Sequence, residues 1–105
     1  MSGIRVSSDA AADLDDIWLY VAKERSVDLA DRLIDSIVGR FALLARMPRL
    51  GRRRPEIIPG LRSFPVANYV IYYTAHRSRV VILRVLHGAR DVGQLLSPPP
   101  TDGPS

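Results

Sequence analysis

Arg62, Arg84 and His87 are the side chains whose types suit the handling of a phosphate. Two guanidiniums can clamp its oxygens, and an imidazole can give or take a proton near neutrality. Upstream lies the run Arg52-Arg53-Arg54, with Glu56 the only carboxylate of its loop. Arginine stays protonated and makes a poor general base, so the run reads as a binding surface rather than a proton acceptor. His87 precedes Gly88 and reads equally well as a turn residue. Arg90 and Asp91 read equally well as a local ion pair that anchors the chain as it leaves the last strand. With no cysteine, disulfides and thiolate metal sites are excluded, and neither a metal nor another cofactor is expected.

The elements that must position these groups follow from periodicity. Residues 61–91 read as a strand–turn–strand–turn–strand meander, with turns at Ala67-Asn68 and His76-Arg77-Ser78. Its segments Tyr69–Thr74 and Val80–Leu86 are β-branched, aromatic and apolar on both alternating faces, as suits a sheet covered on each side. Ahead of the meander, a short strand Ile4–Ser7 is expected to turn at Ser8, the N-cap, into a helix whose first turns carry Asp9, Asp13, Asp15 and Asp16. Leu14, Ile17, Trp18 and Val21 form its buried stripe, and Trp18 and Tyr20 are assigned to packing. A break at Arg25-Ser26 precedes a second helix, capped by Ser26 and running to about Arg46, with Ala30, Leu33, Ile34, Ile37, Phe41 and Leu44 on one face. So tight a connection predicts an antiparallel hairpin, and Met47-Pro48 ends it.

The fold class predicted is therefore α+β, in the order β-α-α-β-β-β, with the hairpin on one face of a small, mostly antiparallel sheet. Strict alternation along the last strand sends Val81, Leu83 and Val85 toward the helices and Val80, Ile82 and Leu86, beside Arg84, to the other face. An apolar face rimmed by arginine would mark a protein partner. In the alternative, loop 47–60 or the tail folds across it. That loop holds three prolines and two glycines, and a loop of its length is usually functional or disordered.

At 105 residues the chain is expected to be one domain, residues 1–96, followed by a disordered proline-rich tail, residues 97–105. No apolar run suits a membrane span and the N-terminus lacks a signal-peptide core, so a cytoplasmic protein with no membrane contact is expected. Charge is segregated. Residues 1–39 hold four basic against eight acidic side chains, net −4, and residues 40–90 hold eleven arginines against Glu56, net +10. Such a one-sign half attracts nucleic acid or an acidic protein.

The stretches DLDDIWLYVA (13–22), RMPRLGRRRPEIIPGLRSFPV (46–66), YVIYY (69–73) and ILRVLHGARD (82–91) together resemble the ParE branch of the ParE/RelE toxins of type II toxin–antitoxin modules. Specificity comes from combining P-x-x-G-R after the second helix, G-L-R-S-F before the sheet and R-V-x-H-G-x-R-D after it. The resemblance spans residues 4–95 and implies the fold just predicted. It also implies a ParD-type antitoxin whose flexible segment covers the sheet at Val80, Ile82, Arg84 and Leu86.

Two activities occur in the family. The ParE branch implies a toxin that binds and poisons DNA gyrase and arrests growth, with Arg52, Arg53, Arg54, Arg62, His87 and Arg90 the candidate target-binding residues. The RelE branch implies a ribosome-dependent mRNA endoribonuclease, for which Arg62, Arg84 and His87 would be catalytic. A third reading is a non-toxic relative that only binds antitoxin. No Tyr, Phe or Trp follows Tyr73, so a base-stacking platform near the C-terminus is missing and the binding toxin, rather than the enzyme, is favoured.

Overall fold

Ser7 joins the first strand to the first helix and serves both. The structure, a computed structural model, describes residues 3–77, 79–88 and 92–96. Strand β1 is Gly3–Val6 and helix α1 is Ser8–Glu24. Ser7, with extended backbone, is the N-cap: its Oγ accepts from Ala10 N–H at 3.0 Å and donates to the Leu83 carbonyl at 2.9 Å. The cap thus falls one residue before the expected Ser8, because Ser8 already has helical backbone. At the far end of α1, Arg25 and Ser26 N–H both bond to the Val21 carbonyl. Ser26 then caps α2, Val27–Arg46, by accepting from Leu29 N–H at 3.1 Å. Trp18 Nε1 donates to Asp31 Oδ1 at 2.8 Å and ties the two helices together.

The remaining elements are β2 (Arg52–Arg53), β3 (Leu61–Val66), β4 (Tyr69–His76), β5 (Arg79–His87) and α3 (Val92–Leu96). The sheet order is β1-β5-β4-β3-β2, with β1 parallel to β5 and every other pair antiparallel. This is the α+β arrangement the sequence predicts, with the two-residue β2 and the short α3 in addition. Among the described residues no helix is long and apolar enough to cross a membrane. Residues 90 and 91, expected to pair, and the tail 97–105 lie outside the described residues.

The sheet is covered on both faces by its own chain. Ile17, Ile37, Phe41 and Leu44 of the helices pack on Ile71, Tyr73, Val80, Ile82 and Val85. On the other face Leu61, Tyr72 and Leu86 pack with Val92 of α3, flanked by Ile57 and Ile58 of the loop. The expected facing of Val80 and Ile82 is therefore corrected: both are 0% exposed and lie against the helices. The cause is a bulge. Tyr72 pairs with Arg84 but Tyr73 pairs with Ile82, so Leu83 is an extra residue and alternation reverses across it. Val80 and Ile82 precede the reversal and Val85 follows it, yet all three reach the same core. Leu86 does face away, as expected, but is buried under α3. Loop and helix, not an open surface, cover this face.

Loop 47–60 is held by Tyr73. Its buried hydroxyl accepts from Gly51 N–H and donates to the Pro48 carbonyl, each at 2.8 Å. A Cβ on Gly51 would sit 2.4 Å from that oxygen and 2.9 Å from the Ser63 carbonyl, so only glycine lets the loop approach this closely. Burial raises the Tyr73 hydroxyl above the ordinary tyrosine value. The unfolded chain then ionises first, so this contribution to stability is complete below about pH 10 and is lost as pH rises through the folded value. Tyr73→Phe should lower stability near pH 8 by about 1–3 kcal/mol, leaving Gly51 N–H without its partner. Urea unfolding of both proteins from pH 8 to pH 11 should show the gap between them narrowing; a constant gap would mean that Tyr73 does not titrate with unfolding.

Candidate functional site

β1 pairs with β5 only over Arg79–Ile82, so the outer edge of β5 beyond Ile82 needs other partners. Ser7 supplies the first, its N–H bonding to the Ile82 carbonyl at 3.0 Å and its Oγ to the Leu83 carbonyl. Asp13 supplies the next. Its Oδ2 accepts from Val85 N–H at 2.9 Å and from Arg84 Nε at 2.7 Å, and its Oδ1 accepts from Arg84 Nη2 at 2.9 Å. Asp13 is only 9% exposed. The fork-on-fork pair raises the Arg84 guanidinium above its ordinary value, mainly through the hydrogen bond to Asp13.

Arg62 is also engaged within the chain. It stands opposite Tyr73, and its Nη1 donates to the Arg49 carbonyl at 3.2 Å and the Gly51 carbonyl at 2.8 Å. Arg84 stands opposite Tyr72, on a strand separated from β3 by β4. The two cations of the expected phosphate clamp thus have separate partners on separate elements. Within the arginine run, Arg52 and Arg53 are exposed on β2, whereas Arg54 Nε bonds Glu56 at 2.7 Å and its Nη1 reaches Ser63 Oγ at 3.3 Å. The Glu56 bond raises Arg54 above its usual value and lowers Glu56 below its own.

His87 lies at the end of β5, where its ring meets Tyr69 edge-on with centroids 5.5 Å apart. Both line a groove of about 750 Å³ between the connected end of the helical hairpin, at the α1–α2 turn, and the β3–β4 turn. Ile17 and Val21 of α1 and Leu29 and Leu33 of α2 make one wall, and Tyr69 and Val85 of the sheet make the other, with Asp16, Glu24 and Arg25 also in the lining. Tyr20, expected to pack, is 63% exposed here, and Leu29 is 39% exposed. An apolar cleft of this size with charged groups at its margin suits the apolar side chains of a polypeptide. Among the described residues no group of His, Cys, Asp or Glu is arranged to hold a metal ion.

Comparison with known proteins bears on the whole of this framework. A family model described as ParE toxin of type II toxin-antitoxin system, parDE, matches residues 4–92. The chain belongs to this ParE toxin family. It is 35% identical to "Toxin ParE3" of Caulobacter vibrioides over 86 residues, covering 82% of this chain and 86% of that protein. A "Toxin RelE3" of the same organism is 34% identical over 90 residues, covering 83% and 95%. Among solved structures, one titled "Chromosomal ParDE TA system from P. aeruginosa" shares the fold, with TM-score 0.73, 24% identity, and coverage of 83% of this chain and 96% of that one.

Within this ParE fold, the sequence signals for the groove and its anchor are faint. Asp13 falls among the apolar positions Ala10, Leu14 and Ile17, and a carboxylate in such a stripe is the one mark of a buried partner. Tyr20 and Leu29 lie off the predicted stripes, which describe burial inside the domain and pass over residues that line its surface. Asp13→Ala should cost about 3 kcal/mol, since it strands a part-buried guanidinium and the Val85 N–H. Asp13→Asn should cost less, because an amide oxygen still meets that N–H. Urea unfolding checks both, and a loss under about 1 kcal/mol for Asp13→Ala would show that the pair does not hold α1 on the sheet.

Proposed function

We propose that this chain is the toxin of a ParDE-type pair, that it acts by binding DNA gyrase, and that a ParD-type antitoxin neutralises it. The observation that carries the binding reading is the commitment of Arg62 and Arg84 to contacts within the chain, which favours a structural over a catalytic use of both. The exposed arginines of β2 and the neighbouring loop are the surface proposed for the target, together with Arg90. The antitoxin surface proposed is the groove at Tyr20, Leu29 and Tyr69, in place of the buried Val80, Ile82 and Leu86. His87, on its margin, belongs to this surface.

Similarity to a protein named RelE3 keeps a second activity in view, and one experiment separates the two. The purified chain is incubated with gyrase and relaxed plasmid, and in parallel with ribosomes and mRNA. Loss of supercoiling with accumulation of cleaved DNA and intact mRNA is expected. Codon-positioned mRNA cuts, abolished by His87→Ala, with unaffected gyrase would replace this reading with the nuclease one. Expression without antitoxin should arrest growth.

The groove has its own test. Leu29→Asp places a charge where an apolar segment should seat, and should weaken antitoxin binding at least tenfold, a loss of about 1.4 kcal/mol or more. Val38→Asp, comparably exposed on α2 but outside the groove, should leave affinity unchanged. Calorimetric titration of the two folded variants decides; equal affinities would exclude the groove.

A further inference from the structure

At the other end of the sheet, Arg49, Arg62 and Arg77 line a second concavity of about 920 Å³. Met47, Pro48, Leu50 and Ala75 complete its lining, Met47 and Leu50 being exposed, and no carboxylate is among the lining residues. Arg53 adds a fourth cation, directly opposite Arg62 across the β2–β3 ladder. Like charges placed opposite one another on a sheet are destabilising, and the one acid of the loop, Glu56, is bonded to Arg54. One of these cations is also held in place: Arg62, by the carbonyls of Arg49 and Gly51. Arg77 sits in a turn where its φ is 58°. A face that serves only solubility needs no such gathering of arginines without an acid among them.

We infer that this concavity is a phosphate-binding site for the backbone of duplex nucleic acid, in which Arg49, Arg77 and the Nε/Nη2 edge of Arg62, whose two backbone carbonyls engage only Nη1, each meet a phosphate. Guanidinium forks suit phosphate oxygens, and a duplex presents them in a dense, regular array. The lining holds no aromatic side chain, so the stacking platform that single strands use is missing. An acidic protein surface fits less well, because protein interfaces centre on desolvated aromatic or large aliphatic anchors, and here the lining is three arginines with no aromatic side chain and with Met47 and Leu50 both exposed. Binding through phosphates alone is independent of sequence. The site stands whether or not gyrase is the target.

Fluorescence anisotropy of the purified chain with a labelled duplex, repeated across a salt series, tests the assignment. Three phosphate contacts predict a slope of log affinity against log salt of about −2.7, or about 40-fold weakening between about 50 and 200 mM salt. Arg49→Gln with Arg77→Asn, the asparagine chosen to tolerate the left-handed turn, should reduce the slope to about −0.9. Arg32→Gln with Arg40→Gln removes the same charge from α2 and should leave the slope unchanged. Arg49→Gln alone, at an exposed side chain, should lower it by about 0.9 and serves if the double variant does not fold. No binding at about 50 mM salt, or equal losses for the two double variants, would overturn the site. So would tighter binding of a single strand, or displacement of the duplex by polyglutamate at equal charge, which would assign the concavity to an acidic protein.

Discussion

A single carboxylate fixes where the helical layer sits. β1 is too short to pair with the whole outer edge of β5, and the backbone beyond it must still find partners. Asp13 provides one for Val85 N–H while neutralising Arg84, so the first helix, rather than another strand, completes the sheet edge. Because Trp18 ties α2 to α1, the position of the whole hairpin follows from that contact. Ile17, one turn beyond Asp13, lies both in the core and in the lining of the groove. The residue that closes the fold therefore sets one wall of the proposed antitoxin site.

The two concave surfaces lie at opposite ends of β4. Tyr69 opens the strand beside the groove and Ala75, near its end, lines the arginine concavity. Six residues of extended chain separate them by about 20 Å. Their charges differ as well: Asp16 and Glu24 line the groove beside Arg25, and the far concavity is lined by arginine without acid. The segregation of charge along the sequence has thus become a segregation in space, giving two surfaces that suit ligands of different chemistry.

Much of this was legible in the sequence. Helix lengths, the Ser26 cap and the order of the meander follow from local rules, since each rests on residues a few positions apart. The bulge at Leu83 does not, because an inserted residue in an apolar run has the same composition as a regular strand. Missing it reverses the assigned facing of Val80 and Ile82, and with them the surface expected to meet a partner. Arg62 and Arg84 were legible as cations but not as internal tethers, since their partners lie 11 and 71 positions away. The α3 cover over Leu86 was hidden for another reason: five residues are too few to show a helical period.

The parallel pairing of β1 with β5 bears on synthesis. Residues 3–6 are made first, yet their hydrogen-bonding partners are residues 79–82, and Ser7 meets a carbonyl 76 positions downstream. A chain emerging from the ribosome cannot close its sheet until nearly all of it has been translated, and contacts of such separation form slowly. Until then the apolar face of the hairpin lacks the strand that buries it. The sheet that carries both concave surfaces therefore closes late, and until it does the hairpin's apolar face is open to proteases and folding partners.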